Sequence, residues 1–110
     1  MWFTASLLFK AVESSDKGDE CIWEERIVLI EALNELEAKA GAEMLGRREE
    51  HEYGVASTHV GTVEWKFVQI ERIYRVEDQV LRSGAQLFSR FLRQAEVEAL
   101  LTPFPDDDSL

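Results

Sequence analysis

Residues 62–78, TVEWKFVQIERIYRVED, constrain the fold more than any other stretch of the chain. The segment has no Gly or Pro and is rich in β-branched and aromatic residues, which fit a pleated, half-buried surface. In an extended chain Val63, Trp65, Phe67 and Gln69 project to one side, and Glu64, Lys66, Val68 and Ile70 to the other. Beyond Ile70 the alternation slips. Ile73, Tyr74 and Val76 fit neither a period of two nor a helix, and a bulge or bend near Glu71 and Arg72 accounts for this. At an edge, so long a strand would expose a row of unsatisfied backbone groups. It is therefore expected inside a sheet, flanked by hairpin partners.

The other elements follow from the same alternation. In residues 2–12, Phe3, Ala5, Leu7, Phe9 and Ala11 alternate with Trp2, Thr4, Ser6, Leu8 and Lys10, which predicts a strand with one wholly apolar face. Polar residues 13–20 contain Gly18 and read as a loop. Residues 21–30 form a second strand, antiparallel to the first. Its end, Ile27 to Ile30, is apolar on both sides, whereas Glu24, Glu25 and Arg26 make its start wetter. A helix then begins at an Asn34 cap, with Glu37 placed to complete a capping box. Its inner face is Ala38, Gly41, Ala42 and Leu45. Its outer face is Glu35, Lys39, Glu43 and Arg47, and Gly46 is its expected C-cap.

A short strand at residues 53–58, with Gly54 and Gly61 marking turns, precedes the long one. Alternation in residues 85–91 predicts a last strand in a hairpin with the long one. Residues 92–101 predict a terminal helix, ended by Pro103 and Pro105. The fold class is α+β: an antiparallel sheet of about four to five strands, in the order β-β-α-β-β-β-α, with one main helix on one face. Residues 1–102 form a single domain and residues 103–110 an acidic, disordered tail.

A net charge of −10 opposes direct binding of nucleic acid, which needs clustered Lys and Arg, and opposes docking on an anionic membrane. The single Cys permits no internal disulfide and no Cys-based zinc site, which suits a reducing cytoplasm. The apolar N-terminus lacks the positive region of a signal peptide and is too short to span a bilayer. The sequence contains no P-loop, dinucleotide fingerprint, nucleophile elbow or kinase signature, and no cofactor is expected.

Several residues carry candidate chemistry. His51 and His59, with Glu49, Glu50 and Glu52 nearby, match no metal motif and read as a charged connection. Cys21 follows Asp19 and Glu20, whose charges oppose a reactive thiolate, so it reads as structural. Glu25, if it faces the same way as Trp23 and Ile27 in a buried setting, needs a partner such as Lys66, Arg72 or Arg90. The ordinary reading is a cross-strand charge pair. The functional reading is a pocket in which Glu25 and Arg26 stand near Trp65 for a small polar ligand or a reaction. Trp2, Trp23 and Trp65 either pack in the core or line an exposed aromatic surface of the kind found at protein interfaces. Trp23, Glu25, Arg26, Trp65, Arg72 and Arg90 are thus the ligand or interface candidates, and no catalytic or metal-binding residue is assigned.

One set of landmarks points to a family. They are Trp2-Phe3, Trp23-Glu24-Glu25-Arg26-Ile27-Val28-Leu29 leading to Ala32, Glu37-Ala38 with Lys39-Ala40, Tyr53, the run from Gly61 to Val68, Gly84, and Leu87-Phe88-Ser89-Arg90. Over residues 1–91 the chain resembles the bacterial family known as domain of unknown function 4288. The resemblance implies a small, cytoplasmic bacterial protein and carries over no activity, cofactor or catalytic residue. The expected role is a non-enzymatic binding or protein-interaction module, homodimeric through a sheet face or edge. The alternative is a small-ligand domain or enzyme using Glu25 and Arg26 near Trp65. A helix face of Ala38, Gly41, Ala42 and Leu45 covers little aromatic surface, so the Trp65 face is expected to need the C-terminal helix or a second subunit.

Overall fold

The computed structural model describes residues 1–13, 22–52, 55–58 and 61–102. Its elements are β1 (Trp2–Glu13), β2 (Trp23–Glu31), α1 (Glu35–Glu52), β3 (Val55–Thr58), β4 (Gly61–Arg75) and α2 (Gln94–Leu101). The strand order is β2-β1-β4-β3, with every pairing antiparallel. Three long strands, β2, β1 and β4, carry the sheet. The short β3 pairs only with the start of β4, from Gly61 to Glu64. The fold is α+β with α1 packed on one face.

The long β4 lies inside the sheet, between β1 and β3, but β3 covers only its start; β1 alone is paired on both sides for most of its length. From Trp65 to Arg75 the outer edge of β4 meets no strand among the described residues. Part of this edge is closed by a side chain instead: Glu50 Oε2, from α1, accepts the backbone N–H of Phe67 at 2.7 Å. A carboxylate over an edge N–H both satisfies the donor and repels a further strand. β1 takes the centre because its odd side chains from Phe3 to Phe9 are apolar and fully covered. Phe3, Ala5, Leu7 and Phe9 are each at most 2% exposed.

The slipped alternation of β4 has a specific cause. Its register against β1 shifts twice, leaving Glu71 extra between the partners of Ser6 and Leu7, and Val68 extra between those of Leu8 and Phe9. Each extra residue turns the strand by one side-chain position. Trp65, Phe67, Ile70 and Ile73 therefore all face α1, although their spacing changes from two to three. With Ala5, Leu7, Phe9 and Ala42 they form the core, together with Val28, Ile30 and Leu45.

α1 starts where the sequence places it. Asn34 Oδ1 accepts the N–H of Glu37 at 2.8 Å, a cap that typically contributes about 1 kcal/mol. Ala38 and Ala42 are completely buried. Gly46 is not a C-cap, because the helix continues through Glu52. A Cβ on Gly46 would stand 2.6 Å from the Phe67 ring, so this glycine lets the helix close down on an aromatic side chain.

Residues 85–91 form no strand, and the element order is β-β-α-β-β-α. After β4 the chain crosses the face of the sheet opposite α1. Val76 N–H donates to Trp2 O at 3.0 Å, and Trp2 N–H donates to Gln79 Oε1 at 2.7 Å. Thr4 Oγ1 donates to Leu87 O at 2.8 Å, and Phe88 meets Tyr74 edge-on at 5.5 Å. A buried hydroxyl and an aromatic ring on the sheet face thus hold this segment flat, where alternation alone predicts pairing at an edge. Thr4 and Ser6 are buried beneath it. Glu13, expected in a loop, ends β1; the rest of that loop at 14–20, the turn at Gly54 and the tail at 103–110 lie outside the described residues.

Candidate functional site

β2 divides the candidate residues between two faces, as its alternating burial requires. Glu24, Arg26, Val28 and Ile30 face α1, while Trp23, Glu25, Ile27 and Leu29 face away. Arg26 is held from two sides: Nη1 donates to Glu49 Oε2 at 2.8 Å and Nη2 to Glu24 Oε1 at 3.2 Å. Its guanidinium lies 5.1 Å from the centroid of Phe9, a cation–π contact. The side chains of Arg26 and Glu49 are only 24% and 15% exposed, so water screens this pair weakly. Phe9, Glu24, Arg26, Glu49 and Trp65 line a cavity of about 340 Å³ at this point. Two carboxylates face one guanidinium, so the cavity is mildly negative. Its chemistry suits a small cationic or amide-bearing molecule stacked on Trp65.

Glu25 does not join this cavity. It lies on the opposite face, where its Oε2 accepts the Ser6 hydroxyl at 2.7 Å. Its partner is a neutral hydroxyl, where a cross-strand cation was expected. Lys66, one of those expected cations, is instead bound to Glu64 at 2.5 Å, and that hydrogen bond holds its pKa above the usual lysine value. Arg72 and Arg90 converge on Phe88, each guanidinium 5.9 Å from its ring centroid. Trp23 is 45% exposed, with Lys10 Nζ 5.7 Å from its ring. Of the six candidates, then, Arg26 and Trp65 share one cavity. Arg72 and Arg90 share one aromatic ring, and Trp23 and Glu25 stand on the outer face of β2.

A second concavity was not legible in sequence. The outer face of β2 and the crossing segment enclose a groove of about 320 Å³, lined by Thr4, Ile27, Leu29, Leu81, Ala85 and Leu87, with Arg82 beside it. Ile27, Leu81 and Leu87 are each about half exposed: 51%, 49% and 47%.

The C-terminal arm is exposed as well. Phe91 is wholly exposed, Leu100 and Leu101 are 62% and 78% exposed, and α2 buries no residue. α2 packs against no other helix or strand of the described chain. It therefore does not cover Trp65, which stays half-buried beside α1.

Cys21, His59 and the side chain of His51 lie outside the described residues. Among the described residues no group of three His, Cys, Asp or Glu side chains is placed to hold a metal, and no helix is long and apolar enough to cross a membrane.

Residues 2–89 match the family described as Domain of unknown function (DUF4288). The chain belongs to this family. The match spans the whole sheet, α1 and most of the crossing segment, and ends before α2. The comparisons with curated proteins and with solved structures gave no match. In this DUF4288 chain the functional candidates that sequence reasoning passed over are Glu49, Leu81 and Leu87. Each meets the sheet only through long-range contacts, so no local spacing marks it.

Proposed function

We propose that the protein is a non-enzymatic protein-interaction module that associates with a second copy of itself. One observation carries the reading: large apolar side chains lie exposed on the outer face of β2, on the crossing segment and on the arm, with Phe91, Leu100 and Leu101 the most open. Contiguous exposed apolar surface on a soluble protein marks an interaction site more often than a scatter of single residues does. Size-exclusion chromatography with light scattering, across a concentration series, tests it. The expected result is a dimer mass that falls toward the monomer on dilution. A strict monomer at every concentration rejects the homodimer.

A second reading has its own support in the cavity of Arg26, Glu49 and Trp65. There the protein would bind a small amine or amide. A thermal-shift screen against such compounds is its test. A ligand at a hundred times its dissociation constant adds about 2.7 kcal/mol to stability, and Trp65→Ala should abolish that gain. If no amine or amide raises the melting temperature, this reading is set aside.

A further inference from the structure

The geometry points to reciprocal exchange of the C-terminal arm: residues 91–102 of each copy lie in the groove between β2 and residues 81–87 of the other. This rests on the interaction-module reading and names the surfaces that it uses.

The arm lacks what its own helix needs. An isolated helix shorter than about 12–15 residues is marginal in water, because few hydrogen bonds offset the cost of nucleation. α2 has 8 residues, buries none of them, and packs on no other element of the described chain. Local contacts are few and polar: Gln94 Nε2 donates to Glu98 Oε2 at 3.2 Å along the helix. Glu96 Oε1 accepts the N–H of Arg93 at 2.7 Å, and Thr102 Oγ1 donates to Glu98 O at 2.7 Å. The helix therefore requires a surface.

Its side chains define what that surface is like. At 100° per residue Val97, Leu100 and Leu101 fall within about 100° of one another, and Glu96 and Glu98 flank them on either side. The complement is an apolar trough with a cation at its rim. Ile27, Leu29, Leu81 and Leu87 line such a trough, and Arg82 stands beside it. The Arg82 side chain holds Asp78 at 2.7 Å yet is 70% exposed, so its remaining donors can reach a carboxylate of the arm.

The path of the chain separates the arm from its own groove. Leu81 and Leu87 lie against β2, but the chain then crosses β1 and is anchored on β4 by Phe88 against Tyr74. Phe88 thus sits on the β4 side, with β1 between it and the groove. A second copy related by a twofold axis can present its arm to that groove, and the axis makes two identical contacts from one pair of surfaces. Two arms bury twice the area of one, which brings the contact closer to the roughly 1,200–2,000 Å² of a specific dimer.

A complementation experiment on the full chain tests this. Leu100→Glu disables the arm at an exposed position. Leu87→Glu disables the groove, and Leu29→Glu is a second groove variant in case Leu87→Glu perturbs the crossing segment. Circular dichroism checks that each one folds. Each variant alone should dissociate on the order of tenfold or more readily than the parent chain. Mixing an arm variant with a groove variant should give a heterodimer that is weaker than the parent dimer but tighter than either variant alone, because one intact arm then meets one intact groove. If both variants stay dimeric at the parent concentration, another surface holds the dimer: arm exchange is overturned while the self-association reading stands. A parent chain that is monomeric throughout overturns both. If Leu100→Glu lowers the melting temperature of a monomer, the arm is closing on its own chain, and the exchange is again overturned.

Discussion

Replacing Phe9 by Ala should cost about 3–5 kcal/mol, the range for deleting a fully buried aromatic side chain. For a domain of this size each kcal/mol lowers the melting temperature by about 4–8 °C, so a fall of about 12 °C or more is expected in a thermal melt. Three contacts converge on this ring. It is 1% exposed, it meets Phe67 at a centroid distance of 5.6 Å, and it supports the Arg26 guanidinium. Truncation leaves a cavity under the middle of α1 and removes the apolar floor on which Arg26 rests between Glu24 and Glu49. Chemical denaturation should report the same loss with an unchanged slope, since the surface exposed on unfolding barely changes. A cost below about 1 kcal/mol would show that this part of the core is not packed as described.

Gly46→Ala should destabilise the protein by about 1–3 kcal/mol, although Ala is the better helix former by about 1 kcal/mol. The added Cβ would sit 2.6 to 2.7 Å from three atoms of the Phe67 ring. That ring cannot withdraw freely. It is 8% exposed and packed against Phe9, and its backbone N–H is bound to Glu50. Gly41 on the same helix is the internal control. A Cβ there would meet only Ile30 Cγ2 at 3.6 Å, an ordinary contact. Gly41→Ala should therefore be neutral or stabilising, by up to about 1 kcal/mol. Opposite signs at two glycines of one helix separate close packing from helix propensity. In the double variant Gly46→Ala with Phe67→Leu, the penalty at Gly46 should shrink, which a double-mutant cycle measures as coupling. Equal and favourable effects at both glycines would mean that α1 sits farther from β4 than described.

Features set by near neighbours were legible in the residues. The alternation of Phe3, Ala5, Leu7 and Phe9 marked the buried face of β1, and Asn34 marked the start of α1. The small face of Ala38 and Ala42 marked the side that packs on the sheet, and the slip near Glu71 marked a bulge. Each of these is carried by contacts within one strand or one helical turn, so a short window of sequence contains it. The candidate site was legible only in part: Arg26 does stand near Trp65, but Glu25, expected beside them, does not. Alternation in β2 sends Arg26 and Glu25 to opposite faces, and only Arg26 shares a cavity with Trp65.

Residues 62–78 determined by themselves that a long strand would form there, with Trp65 and Phe67 on one face, although the strand ends at Arg75. Its neighbours were decided only in three dimensions. β1 became the central strand, and β4 kept an open edge guarded by Glu50. Residues 85–91 have the alternation of a strand, yet they lie across the sheet face, because Thr4 and Tyr74 offer a hydroxyl and a ring there. Gly46 reads as a terminator until Phe67 is placed beneath it. Local sequence sets which backbone conformation is cheap and which side chains share a face. Which edges and faces then meet depends on contacts between residues far apart in the chain, and those exist only once the fold has closed.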